Sequence, residues 1–171
     1  MKSWVRIMAF CLVAVAFIGC DRITKNIAKE DLMDKPVLSY FHDTFRFEYV
    51  ENTGAALSLG DSLSKTASFW LLAVLPLMVL LGLFAYAIIN VRKMNLMKLF
   101  SLALIFAGGI GNVIDRIIYD RHVTDFMNVG ISGLRTGIFN VADMCVTAGA
   151  IGLLFFYKEK KTEVSSETAK P

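Results

Sequence analysis

Apolar positions in this chain gather into four blocks, residues 5–19, 69–89, 99–114 and 138–157, separated by stretches where polar and charged residues return. A helix that crosses a bilayer needs about 20 mostly apolar residues, or about 17 when its polar ends reach the interface. The second block meets that length outright. The other three meet it with their polar ends in the headgroup layer. Backbone groups in lipid must bond within their own segment, so each block predicts a helix. Between the first two blocks the pattern changes: FRFEYV at 45–50 alternates apolar and polar positions, predicting a half-buried strand, and Asn52-Thr53-Gly54 follows as a turn signal. Residues 61–68 predict a helix start capped by Asp61 or Ser62, and Pro76 predicts a kink in the second block. Residues 162–171 are small and polar and predict a disordered cytoplasmic tail.

Polar residues at membrane depth are costly, so their placement is informative. GGIGNVIDR, residues 108–116, closes the third block and puts Gly108, Asn112 and Asp115 on one helix face at i, i+4 and i+7. In FNVADMCVT, residues 139–147, Asn140, Asp143 and Thr147 share a face in the same way. Asp21 and Lys25 are i, i+4 neighbours past the end of the first block. All three faces fall at the same end of their helices, so they can meet at one depth. Simpler roles fit several of these residues. Asp115 can pair with the adjacent Arg116, Asp21 with Lys25, Asn140 can cap the fourth helix, and Gly108, Gly109 and Gly111 can serve helix packing. Asp143 fits none of them, because it sits among Val141, Ala142 and Met144 with no basic neighbour in sequence.

Charge sets the orientation. Lys2 and Arg6 precede the first block, Arg92, Lys93 and Lys98 fill the link between the second and third, and Lys158, Lys160 and Lys161 follow the fourth. With four spans these clusters share one side, which places both termini in the cytoplasm and residues 21–68 and 117–137 outside. The net charge of +3 over 171 residues is then a topology signal, and no basic helix with interleaved aromatics suggests nucleic acid. Three cysteines, Cys11, Cys20 and Cys145, lack disulfide or zinc spacing and are expected as buried free thiols. VAFIGCD at 15–21 imitates a signal peptide ending at a lipidated cysteine. Phe17 and Ile18 are bulky for such a cut, so the first block is expected to remain as a helix.

The chemistry these residues allow is narrow. Two histidines without HExxH argue against a zinc protease, and the absence of GxSxG argues against a serine hydrolase. Asparagines and aspartates remain. Two carboxylates held close cannot both ionise easily, and such a pair can activate water and hydrogen-bond a carbonyl. A proton-coupled transporter or channel subunit would use the same residue types, although it would spread them through the membrane. A multispan or lipid-anchored interaction protein would need none of them.

GGIGNVIDR together with VTDF at 123–126 and FNVAD at 139–143 resembles the signature segments of bacterial lipoprotein signal peptidase (signal peptidase II), and DRITK at 21–25 and NTGAALS at 52–58 resemble its two earlier motifs. The resemblance runs in order from the first span to the fourth. It implies an all-α integral membrane protein of four transmembrane helices with a small extracytoplasmic β-cradle. Residues 1–161 would form the peptidase domain, including the β-containing loop at 26–68. It implies a monomeric aspartyl endopeptidase of the bacterial inner membrane with its active site at the outer face, using no metal or cofactor. The implied partners are membrane lipids and diacylglyceryl-modified prolipoproteins, cut just before the modified cysteine. By motif, the catalytic pair is Asp125 and Asp143. Asn112, Arg116 and Asn140 would line the pocket, Asn52 and Gly54 would frame it, and Gly108, Asp115, Asp21 and Lys25 would support it. Asp125 matches better than Asp120 because Val123 and Phe126 flank it. Two departures stand out: DRIIYDRHVTDF has one residue more than the family spacing and no glycine, and Leu57 replaces a common phenylalanine. One member of the pair is expected to hold a proton at rest while the other is ionised, with the two titrating as a unit.

Overall fold

A computed structural model describes residues 1–54, 64–131 and 133–167, with side chains described as far as Phe156. The described residues form four helical runs and one small sheet: α1 Ser3–Leu32, β1 Leu38–Tyr40, β2 Phe45–Asn52, α2 Lys65–Ile89, α3 Leu96–Ile118, β3 Val123–Ile131, β4 Leu134–Arg135 and α4 Val141–Glu167. The first three helices are long and apolar enough to cross a membrane, whereas the apolar part of α4, Val141–Phe156, is shorter. The fold is thus mostly helical with a small antiparallel sheet.

Each run differs from its apolar block in an informative way. α1 does not stop near Gly19 but continues to Leu32, so residues 26–32 are helix and not loop. The polar residues Asp21, Arg22 and Lys25 read as an exit from the membrane, yet partners on other elements satisfy them and the helix carries on. In α2 the cap is Ser64, whose Oγ accepts from the Ala67 amide at 3.2 Å. The expected caps Asp61 and Ser62 lie outside the described residues. Pro76 is preceded by a π-helical turn at Trp70–Val74. Proline cannot donate to the carbonyl one turn back and its ring crowds that carbonyl, and the wider turn accommodates both effects. α4 extends through Glu167, into the segment expected to be a tail, and residues 168–171 are not described.

The bundle buries little and exposes much, as lipid permits. Phe10, Phe84 and Phe106 meet with ring centroids 5.4–5.8 Å apart, and Ala87, Leu99, Leu102 and Ala103 pack around them. Trp4, Met8, Leu12 and Val15 form an exposed stripe along α1, and α2 exposes Leu71, Leu75, Met78 and Val79. In water such a surface would drive aggregation. Cys145 is buried, but Cys11 and Cys20 are exposed, contrary to expectation. A thiol on a lipid-facing surface needs no protein cover.

The sheet has strand order β1-β2-β3-β4, antiparallel throughout. The strand predicted at 45–50 is present as β2 and is half-buried along most of its length. One face packs on the far end of α1, where Ala28 and Leu32 meet Phe126 and Met127 with Phe45, Phe47 and Tyr49 alongside. β2 and β3 pair with Val50 opposite Asp125 and Asn52 opposite Val123, and a register shift falls between Phe47 and Val50. That register decides what lies beside Asp125.

Candidate active site

Asp125 and Asp143 reach one another's neighbourhood from different kinds of element. Asp125 lies on β3 and is almost wholly buried; Asp143 lies in the first turn of α4 and is half-buried. Asn140, just before α4, joins them. Its Nδ2 donates to Asp125 Oδ1 at 2.6 Å, and its backbone N–H donates to Asp143 Oδ2 at 3.0 Å. The Asp143 N–H returns a bond to Asn140 Oδ1 at 2.9 Å, so the pair is also a reciprocal helix cap. The capping role expected for Asn140 is therefore real, and the same side chain reaches the second carboxylate.

Two more amides complete the arrangement. Asn52 Nδ2 donates to Asp125 Oδ2 at 3.0 Å, and Asn112 Nδ2 donates to Asp143 Oδ1 at 2.8 Å. Asn112 Oδ1 in turn accepts from Lys25 Nζ at 3.0 Å and from Asn140 Nδ2 at 3.2 Å. Those donors fix the amide so that its N–H group must face Asp143. Gly54 closes an Asx turn on Asn52, its N–H donating to Oδ1 at 3.0 Å, and Arg116 holds the Gly54 carbonyl at 2.9 Å. Neither Asp125 nor Asp143 forms an ion pair among the described residues. Burial pushes the Asp125 carboxyl up to about 6. The Asn52 amide pulls it down, the Asp143 carboxylate adds to the rise, and Asn140 and Lys25 oppose it. A carboxyl so placed can exchange a proton near neutral pH.

Behind this pair lies a second set of buried carboxylates with different company. Asp115 is fully buried and pairs with Lys25 at 2.8 Å and Arg22 at 2.5 Å, not with the adjacent Arg116. A side chain one residue along the helix points elsewhere, which is why sequence adjacency misled. Asp21 pairs with Lys25 at 2.9 Å, the i, i+4 contact expected, and with Arg22 at 3.2 Å. Its Oδ1 also accepts the Ala142 N–H at 3.0 Å, and Asp115 Oδ2 accepts the Thr124 N–H at 3.3 Å. Two carboxylates and two cations thus tie α1, α3, α4 and β3 together. Arg22 was missed in the sequence because Lys25 already satisfied the pairing rule. The signal was present in the doublet Asp21-Arg22, which Asp115-Arg116 repeats.

The glycines allow the helices to come this close. A Cβ on Gly108 would strike the Ala142 carbonyl oxygen, one on Gly111 would lie 2.8 Å from Asp21 Oδ2, and one on Gly109 would overlap Leu80. They are packing positions. Asp120, the alternative to Asp125 by spacing, is exposed in the turn after α3 and pairs with Lys65 at 2.6 Å. The residues of NTGAALS beyond Gly54, Leu57 among them, lie outside the described residues.

Comparison with known proteins gives the chain a family. The family model described as Signal peptidase (SPase) II matches residues 13–158. Similar curated proteins include a lipoprotein signal peptidase of Borreliella burgdorferi (strain ZS7), 34% identical and covering 93% of this chain and 95% of that protein. Another is a lipoprotein signal peptidase of Borrelia duttonii (strain Ly), 36% identical over 74% of this chain and 77% of that protein. Among solved structures, one described as a bacterial membrane enzyme determined by the in meso method at 2.3 Å superposes with a TM-score of 0.77 at 27% identity, covering 91% of this chain and 90% of that one.

Proposed function

The chain belongs to the signal peptidase II family, membrane proteases that cleave signal peptides from prolipoproteins, and from that premise we propose an aspartyl mechanism in which Asp125 and Asp143 are the catalytic pair. The substrate is a prolipoprotein carrying diacylglycerol on its cysteine, and the bond cut is the one immediately before that cysteine. The single observation that carries the reading is the Asn140 bridge, which binds both carboxylates at once while neither forms an ion pair among the described residues.

In the resting enzyme the two carboxyls share one proton. The ionised member takes a proton from a water molecule whose oxygen adds to the scissile carbonyl. The protonated member hydrogen-bonds the carbonyl oxygen as it gains charge. As the C–N bond breaks, a proton passes to the departing nitrogen, leaving a carboxylate on the signal peptide and an amino group on the lipidated cysteine. The amides of Asn52, Asn112 and Asn140 position the carboxylates without neutralising them. Arg116 holds the Asn52–Gly54 turn over the site by its bond to the Gly54 carbonyl. Four helices cross the inner membrane, both termini lie in the cytoplasm, and the sheet and carboxylates face outward. The enzyme works as a monomer without metal or cofactor.

The test is cleavage of a synthetic precursor by purified protein in detergent, with and without the diacylglyceryl group, and with products identified by intact mass. The reading expects cleavage of the lipidated form alone, leaving the modified cysteine as the new N-terminus. Equal cleavage of both forms, or a cut elsewhere, would overturn the assigned substrate and bond.

A further inference from the structure

At the end of the bundle opposite the carboxylates, an open cleft of about 670 Å³ lies between the start of α1 and the link joining α2 to α3, lined by Met1, Lys2, Ser3, Trp4, Arg6, Ile7 and Arg92. Three of these residues are cationic and none is acidic. No Asp or Glu occurs anywhere in residues 1–20 or 90–114, so the charge has no counterion nearby in sequence. The cations differ from the loose lysines that merely set topology. Arg6 donates from one terminal nitrogen to the Val91 and Met94 carbonyls, both at 2.7 Å, and Arg92 donates from Nε to Ser3 Oγ at 2.5 Å. Those bonds fix both guanidinium groups. Arg6 Nε is buried and has no hydrogen-bond partner among the described residues.

Two further features suit an anion. The first turn of α1 contains no acidic residue, and its N-cap, Lys2, makes no side-chain capping bond. The amides there point outward with a positive end dipole, where a cation is disfavoured and an anion favoured. Trp4 is more than half exposed beside the cleft, the pattern of a ring at the headgroup layer. From Ser3 to Asp21 the helix rises about 27 Å at 1.5 Å per residue, close to one hydrocarbon thickness. The cleft therefore opens at the opposite headgroup layer from the carboxylates.

We propose that this cleft binds the phosphate headgroup of an anionic phospholipid, held by Lys2, Arg6, Arg92 and the first amides of α1, with Trp4 against its acyl chains. A basic pocket between helices at headgroup depth is the arrangement that selects such lipids. The proposal does not depend on the peptidase assignment.

The experiment reads Trp4 fluorescence in the full chain carrying Trp70→Phe, which removes the other tryptophan. The protein is placed in phosphatidylcholine vesicles containing small fractions of brominated phosphatidylglycerol or, separately, brominated phosphatidylcholine. Selective binding predicts quenching at several-fold lower fractions of the anionic lipid. Each rim cation is expected to contribute about fivefold, so Lys2→Gln with Arg92→Gln should erase most of the preference while precursor cleavage continues at the parent rate. Arg6 is left intact because it also closes the α2–α3 link. Equal quenching by the two lipids would overturn the proposal, as would an unchanged preference in the double variant. Relief of quenching by millimolar inorganic phosphate would reassign the cleft to a soluble phosphate.

Discussion

Two pairs of carboxylates lie close together in this fold, and they keep different company. Asp21 and Asp115 are matched by Arg22 and Lys25 in a neutral set of four charges. Asp125 and Asp143 are held by the amides of Asn52, Asn112 and Asn140, and neither forms an ion pair among the described residues. What lifts Asp125 toward neutral pH is its burial, which outweighs the downward pull of its amide donors. The two sets are physically joined at Lys25, which belongs to the first and aligns Asn112 for the second.

The largest effect should come from the amide-held pair. Asp143→Asn should lower cleavage of the lipidated precursor roughly a thousandfold, the scale of lost acid–base catalysis, while the purified variant still folds. Steady-state assays with a thermal-unfolding check would show it. Lys25→Met should instead act on stability, at a cost of about 3–5 kcal/mol, because two buried carboxylates are left with one cation. Its activity should also fall at temperatures where it remains folded, since Asn112 loses a donor that orients it. Denaturant titration and activity measured together separate the two effects.

The pH dependence sharpens the contrast. The Asp125 carboxyl is raised to about 6 in the folded protein. Its contribution to stability is therefore complete below its unfolded value, near 4, and is lost as pH rises through about 6. Asp125→Asn removes this dependence. The stability difference between wild type and variant should change by up to about 3 kcal/mol between pH 4 and 7, in the direction that disfavours wild type at high pH. Melting curves across that range would reveal it. A smaller loss, about 1–3 kcal/mol, is expected from Gly108→Ala, whose methyl would meet the Ala142 carbonyl between α3 and α4. Asp120→Asn should change neither activity nor melting temperature measurably, because its pair with Lys65 is exposed.

The helices were legible because lipid demands unbroken apolar runs, and their ends were not. α1 outruns its apolar block by more than three turns because Arg22 and Lys25 find Asp115 on α3 and Asp21 finds the Ala142 N–H on α4, which no local pattern contains. Asp143 stood out in sequence as an acid among apolar neighbours. Asp125 did not, since VTDF is an ordinary strand sequence, and only the family resemblance marked it. The structure adds what pattern could not: β2–β3 register brings Asn52 beside Asp125, and Asn140 reaches across to it from the start of α4. Arg116 was paired with its neighbour Asp115 by adjacency and instead holds the Gly54 carbonyl.

The most direct measurement sets Asp125→Asn beside Asp115→Asn, recording turnover of the lipidated precursor and the unfolding midpoint for each. Asp125→Asn should be inactive with its fold retained, and Asp115→Asn should be markedly destabilised yet still cut substrate when kept cold enough to remain folded. Wild-type turnover by Asp125→Asn, or complete inactivity of a demonstrably folded Asp115→Asn, would contradict the division of labour between the two pairs.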